Sequence, residues 1–567
     1  MLLMQGVSVD QCRLAICLLP LLFRALLPGA QAASQSATPV READAACGRC
    51  HQSIFRSYLT TPMANASGLA GERLIPGVFL HSPSAVEYQV SSDGHSAWLS
   101  YRKPGSDGLN GREQLEYFLG SGHLGITYLY SKNQYLLESP VAYYPATDSY
   151  AMKPGLERVT RLPDALPVDS GCLRCHMSAA QPVDPGTENR YRGLPFLHTG
   201  ITCESCHGDS TRHVATSGVA AVVNPIKLEA EKRDSICIAC HLEGATNVQH
   251  RGRSALDYQP GQDIADYISY FAYERENTTE RGVSEIEQFT SSKCKQASGS
   301  AMSCMNCHDP HRSPAPAERV DYYRAKCLTC HTAARYASTH FPDRRDCTSC
   351  HMPKTSAQNI AHVAWTDHRI RRQPGQDNLL SSFDDRPREL VPILPAGTSP
   401  RNVALAYYDL TVNGNPAEKK RALALLTAAA QASPDDPAVL QALAILAESD
   451  GDSSRATSLY RHVLKQDPDS LPSTTNLGTL LAKSGDLAAA ASLWRPAFER
   501  NQDVLALGQN LATIECLLGE KSRAISVWTT VLQYSPDAPG ARRKLNAIQT
   551  GQQQCIPEHP QLKLENP

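Results

Sequence analysis

Residues 304–312 read CMNCHDPHR. Two cysteines stand three apart, a histidine follows the second, and another histidine comes three residues later. Cysteines at i and i+3 of one helical turn face the same way, so both can form thioethers to one porphyrin. The next residue, histidine, can then turn its imidazole onto the iron. Cys-x-x-Cys-His is the spacing of c-type haem attachment. It starts at Cys47, Cys172, Cys203, Cys237, Cys304, Cys327 and Cys347, seven times in the chain. Zinc knuckles and thioredoxin-like dithiols share Cys-x-x-Cys but need no histidine after it. Here the histidine is always present.

The reading is therefore seven covalently attached c-type haems. Their thioether residues are Cys47, Cys50, Cys172, Cys175, Cys203, Cys206, Cys237, Cys240, Cys304, Cys307, Cys327, Cys330, Cys347 and Cys350. The proximal iron ligands are His51, His176, His207, His241, His308, His331 and His351.

Covalent haem attachment predicts export. Arg13 precedes an apolar run from Leu14 to Leu27, and AQA ending at Ala32 is an A-x-A cleavage site, so residues 1–32 read as a signal peptide. Arg24 interrupts the run, which leaves the cleavage point open. The expected location is the periplasm or the outer cell surface. No later stretch has the length of a membrane span. With 55 basic against 57 acidic residues, the chain gives no reason to expect a nucleic-acid partner. Outside the motifs and the leader remain Cys294, Cys516 and Cys555, an odd number, so at least one is free or pairs between chains. Cys516, in the apolar run LATIECLL, reads as a core residue, and Cys294, in SSKCKQ, as structural at most.

Residues 40–372 read as the haem domain. The gap between its first two motifs holds AVEYQVSSDGHSAWLSYR, a hairpin around Asp93-Gly94, and ITYLYSKNQYLLE, a second hairpin around Lys132-Asn133. They predict a small β insert over about residues 78–145. Elsewhere the porphyrins themselves would serve as core. Residues 373–402 are rich in Pro, Asp and Ser and read as a linker between two separable domains.

Beyond it a 34-residue step repeats. It carries Ala422, Ala456, Ala490 and Ala524, then Leu426, Tyr460, Trp494 and Trp528, then Pro434, Pro468 and Pro536. Small, aromatic and proline positions at this period are the tetratricopeptide pattern. Residues 403–550 are read as four repeats plus a capping helix, and 551–567 as a tail. The expected fold class is mainly α: a haem-packed domain with a β insert, then an α-solenoid whose face docks a protein partner.

Each iron has a second axial site. Ten histidines outside the motifs lie between residues 45 and 375, more than seven irons need. The stretches HSPSAVEYQV, GSGHLGITYL, GITCESCHGDSTRHV, SCMNCHDPH and CHMPKTSAQNIAHVAWTDHRI resemble a family of exported multihaem cytochromes with C-terminal tetratricopeptide repeats. That family is akin to the tetrahaem carriers associated with hydroxylamine oxidoreductase. The resemblance spans nearly the whole chain after the leader. It implies that His81, His123, His213, His311, His362 and His368 are distal ligands. His340, just before the last motif, is the expected seventh. His95, His198 and His250 are left as bystanders, with Met63 as the methionine alternative.

Proline at 310 fixes its own backbone and disfavours helix in the residue before it, so His311 is expected to serve a neighbouring haem and not its own. Bis-histidine irons favour an electron-transfer protein working with redox partner proteins over a substrate-converting enzyme. A multihaem reductase or oxidase of small nitrogen or sulfur compounds is the alternative, and such enzymes often replace a motif histidine by lysine. No Cys-x-x-Cys-Lys occurs in the chain. A redox-complex scaffold is the third reading.

Overall fold

Alternating apolar residues build the first folded region. Val86, Tyr88 and Val90 point inward from the strand Val86–Ser92, which pairs antiparallel with Gly77–His81 on one side and Ala97–Arg102 on the other. Asn110–Leu115 completes this four-stranded sheet. A second sheet joins Ser67–Leu69, Tyr117–Leu119, Thr127–Lys132 and Tyr135–Glu138. Between them lies a core of Leu99, Phe118, Tyr128 and Val141. The second hairpin turns at Asn133-Gln134, one residue later than expected, with φ of 52° and 73°. A two-residue turn with both central residues at positive φ matches the twist of its strands.

This computed structural model describes residues 36–551 except 106–108, 275–281, 332–345, 357–363, 373–388 and 395. The expected leader, residues 552–567 of the expected tail, His340, His362 and most of the expected linker lie outside the described residues. None of the described helices is long and apolar enough to cross a membrane. The chain holds more β structure than the mainly α class expected for it: besides the β insert it carries further short sheets, among them one of Thr246–Gln249, Ile268–Tyr273 and, from the linker, Leu390–Pro392.

The repeats are antiparallel helix pairs. Pro400–Val412 packs on Lys419–Ala432, Pro437–Ser449 on Ser453–Gln466, Leu471–Lys483 on Leu487–Arg500, and Leu505–Leu517 on Lys521–Tyr534. Ala541–Gln549 covers the end. Ala422, Ala456, Ala490 and Ala524 are all fully buried, as are Leu426, Tyr460, Trp494 and Trp528 one turn later. Asp436, Asp452, Ser470 and Asp486 cap helix N-termini with their side chains.

At Gly478 a β-carbon would stand 2.2 Å from Nε1 of Trp494, which donates to the Thr475 carbonyl at 3.1 Å. Alanine would gain up to about 1 kcal/mol of helix propensity, but overpacking a held indole costs roughly 1–3 kcal/mol. Gly478→Ala is therefore expected to lower the melting temperature read by far-UV circular dichroism, and an unchanged or raised value would show that the indole moves freely. Cys516 packs against this core, as its apolar context implies, but it is also disulfide-bonded.

The stretch read as a free linker is partly structural. Leu390–Pro392 pairs with Ile268–Tyr273, the strand of the motif-bearing part that carries the fully buried Phe271. Phe271 and Leu390 share one core with Ala404, Tyr407 and Leu426 of the first repeat.

The turns joining successive repeats add a second seam. Asp435, Asp469, Asp503 and Asp537 recur at the 34-residue step. Arg251 donates to the Asp435 carbonyl at 3.3 Å, and Leu162 N to Asp537 Oδ2 at 3.0 Å. Between them, Asn501 Nδ2 donates to the Gly186 carbonyl at 2.9 Å and Tyr135 Oη to the Arg500 carbonyl at 2.7 Å. Both parts belong to one unit from Ala37 onward.

Asp503 is 9% exposed in this seam, and burial pushes its carboxyl up to about 6 against a bond from Asn189 that lowers it. The folded chain thus holds a proton there that the unfolded chain releases near pH 4. Stability falls as pH rises through that window and stays reduced above it. Asp503→Asn is expected to stabilise the protein by roughly 1–3 kcal/mol at pH 7.5, with a smaller gain at pH 4.5. Equal melting shifts at both pH values would contradict this.

Candidate haem-binding site

Each motif occupies a short helical turn. Asp169 and Asp346 cap two of them, accepting from Cys172 N at 2.9 Å and from Thr348 N at 3.0 Å. The backbone closes the turn in the same way at four motifs. His51 N reaches the Cys47 carbonyl at 2.8 Å, His207 that of Cys203 at 3.0 Å, His308 that of Cys304 at 2.9 Å and His331 that of Cys327 at 3.0 Å. That i to i+4 bond puts the imidazole beside the first cysteine, on one side of the turn. Aspartate is a favoured N-cap, and it stands three residues before Cys172 at Asp169 and directly before Cys347 at Asp346.

The chain brings motif imidazoles close to imidazoles from elsewhere. His51 and His213 lie 6.3 Å apart between ring centroids and are 13° from parallel. His207 and His311 are 5.9 Å apart at 12°, and His308 and His368 are 6.2 Å apart at 35°. Two imidazoles on opposite faces of one metal, each nitrogen about 2 Å from it, hold their ring centres roughly 6 Å apart. The three pairs have the separation that one iron between two rings requires, so the residues fit a haem at each.

The rings are also oriented. Nδ1 of His207 bonds the Val223 carbonyl at 2.8 Å, His213 that of Ala220 at 2.6 Å, His368 that of Thr366 at 2.8 Å and His351 that of Arg371 at 2.5 Å. A carbonyl at Nδ1 fixes the proton there and leaves Nε2 for a metal. Burial pushes His308 down to about 4, with His368 and His241 nearby, and also lowers His311. Both are held in the neutral form that ligates metal.

His81 departs from expectation. It is 4% exposed within the β insert, its Nδ1 is 2.8 Å from Ser84 Oγ and its Nε2 3.0 Å from the Glu157 carbonyl. Both ring nitrogens are engaged, so neither is free for iron. His123 is exposed in the loop after Leu119, and no motif imidazole lies against it among the described residues. His250 bonds Ser269 Oγ at 2.9 Å, and His95 stays exposed in its hairpin turn. Met63 is partly buried against Val40, Tyr58 and Ala64.

Thiols of different motifs also meet. Cys47 lies beside Cys203, and likewise Cys175 beside Cys240, Cys237 beside Cys304, and Cys327 beside Cys347. These meetings place attachment points of different motifs side by side. Tyr323, which sequence reading passed over, packs edge-on against His308 at 5.7 Å.

Two segments match known families. Residues 147–208 match the family described as cytochrome c554 and c-prime, and residues 297–336 the doubled CXXCH motif. No curated protein matches the chain. Among solved structures it is similar to YrrB, described as a TPR protein with an unusual peptide-binding site, at 17% identity over 26% of this chain and 76% of that one, TM-score 0.25. It is likewise similar to MamA at 16% identity over 26% and 84%, TM-score 0.24. A mutant O-GlcNAc transferase of Thermobaculum terrenum matches at 18% identity over 24% and 26%, TM-score 0.22. The motifs, the two family segments and the helix pairs make this a multihaem c-type cytochrome chain with a tetratricopeptide module.

Proposed function

We propose that the protein is an exported electron-transfer cytochrome carrying seven c-type haems, with its repeats docking a redox partner protein. The observation that carries this reading is the set of three imidazole pairs at 5.9–6.3 Å. When bound, each haem supplies an iron that accepts and releases one electron. The cysteines would tether it, and at three of the motifs His51 with His213, His207 with His311 and His308 with His368 would hold the iron and keep small molecules off it. Such ligation favours a low potential and a carrier over a catalyst.

The imidazole and thiol pairs also support an order. His213 links the third motif to the first, and His311 links the fifth to the third. Cys240 links the fourth to the second, and Cys304 links the fifth to the fourth. Attachment points at side-chain contact keep the distance between redox centres short. Export is supported by the expected leader and by the disulfide at Cys516, since disulfides persist in oxidising compartments.

Intact mass of protein matured with a cytochrome assembly system is expected to show seven haems on a chain beginning near Ala33. Fewer haems under complete maturation would mean that a motif is not used. Carbon monoxide added to the reduced wild type is expected to leave the haems of the three imidazole pairs unchanged, and its binding at any of them would overturn the carrier reading.

A further inference from the structure

The segment leading into the third motif is strapped to both flanks of the first. Thr38–Pro39 pairs in parallel with His198 and Thr199. Ile201 N donates to the Met63 carbonyl at 3.1 Å, and Tyr58 Oη donates to the Ile201 carbonyl at 2.5 Å. At Gly200 φ is +68°, and a β-carbon would stand 2.3 Å from the Ala64 carbonyl oxygen. Only glycine admits that approach.

Asp44 sits inside this joint, 2% exposed and three residues before Cys47. Its two carboxylate oxygens accept the Cys203 amide at 3.1 and 3.0 Å. Its backbone is fixed from both sides, with N donating to the Val40 carbonyl at 3.0 Å and its carbonyl accepting from Gly48 N at 3.1 Å. A carboxylate oxygen and the Cys47 and Cys203 sulfurs all lie within 4.8 Å of one another. One carboxylate and two thiols form the donor set of a metal site, but both sulfurs open haem motifs and are consumed by thioether bonds. What then remains is a carboxylate bonded to the amide that starts the third motif, between two attachment points. Burying a carboxylate is costly unless it is hydrogen-bonded, and this one directs its bonds across the joint.

We propose that Asp44 is a positioning residue that fixes the spacing of the haem on Cys47 and Cys50 relative to the haem on Cys203 and Cys206. The inference rests on covalent haem attachment at both motifs. Asp44 reaches the third motif through its first backbone amide, so losing the acceptor frees that turn to move against the first motif. Asparagine keeps an oxygen acceptor on the same stem. Glutamate keeps the acceptor and the charge but lengthens the stem by one methylene.

The test uses the full-length holoprotein with Asp44→Ala, Asp44→Asn and Asp44→Glu. The readouts are haem-peptide masses, the Soret circular-dichroism couplet of closely packed haems, and a potentiometric titration. Asp44→Ala is expected to keep both haems, lose part of the couplet and shift two of the midpoint potentials. Asp44→Asn is expected to retain the wild-type couplet. A merely structural role would lower the melting temperature and leave couplet and potentials in place, and that result in the alanine variant overturns the proposal. Should the alanine protein not mature, the glutamate and asparagine variants decide. A changed couplet with glutamate and an unchanged one with asparagine support the proposal, and unchanged couplets in both overturn it. Wild-type protein lacking haem on either peptide overturns this inference together with the carrier reading, whereas both haems present with an unaltered alanine variant overturns the role of Asp44 alone.

Discussion

His311→Ala is expected to mature with every motif still loaded, yet to gain one high-spin haem that binds carbon monoxide. The haem that opens should be the one on Cys203 and Cys206, although His311 lies in the segment of Cys304 and Cys307. His308 and His311 are three residues apart, but Pro310 and the bridge between Asp309 and Arg312 turn the chain between them. Their rings end beside different partners, His368 and His207 respectively. Thioether bonds do not depend on the distal ligand, so haem number by mass should not change. The missing ligand converts one low-spin iron to an open one, a change visible in the optical and electron paramagnetic resonance spectra.

His368→Ala should open a different haem, that of Cys304 and Cys307. The double variant is then expected to bind about two equivalents of carbon monoxide where each single variant binds about one, because losses at separate sites add. A His311→Ala protein that remains wholly low-spin would remove His311 from the ligand set. A double variant that binds no more than either single one would show that the two histidines do not serve separate irons.

A chain ending at Arg372 is expected to lose most of its stability, despite retaining all seven motifs. It would expose Phe271, which is fully buried against the first repeat, and strip the partner strand Leu390–Pro392 from Ile268–Tyr273. It would also uncover Tyr135 and Leu137, which pack with Tyr534. Each large apolar side chain returned to water costs roughly 1.5–3 kcal/mol, so Phe271, Tyr135 and Leu137 together approach the 5–15 kcal/mol that typically holds a domain folded. The expected result is a protein that melts well below the full chain, aggregates, and is cut readily within residues 246–273 by a protease. A truncated protein that is monodisperse, fully haem-loaded and equally stable to heat would show that the seam adds nothing.

The residue pattern by itself determined the local chemistry and the periodicity. Cys-x-x-Cys-His is a contiguous unit whose geometry closes inside one helical turn, so all seven motifs could be read without a fold. The 34-residue step likewise encodes contacts between neighbouring helices, which is why Ala456, Tyr460 and Trp494 fall in the core as their spacing requires. Pro310 marked a turn of the chain between His308 and His311.

Partnership over long separations was decided only by the tertiary structure. Nothing local to His207 points to His311, or to His308 from His368, because those rings meet through chain folding and not through spacing. His81 shows the same limit in reverse. Its type fitted a ligand, but the backbone of Glu157 and the hydroxyl of Ser84 occupy both nitrogens. The seam followed the same rule: a composition rich in Pro, Asp and Ser reads as a linker, while the backbone hydrogen bonds of Leu390–Pro392 depend on a strand more than a hundred residues earlier in the chain. Asp44, too, gains its meaning from an amide far along the chain at Cys203, and a lone aspartate before a cysteine carries no such signal.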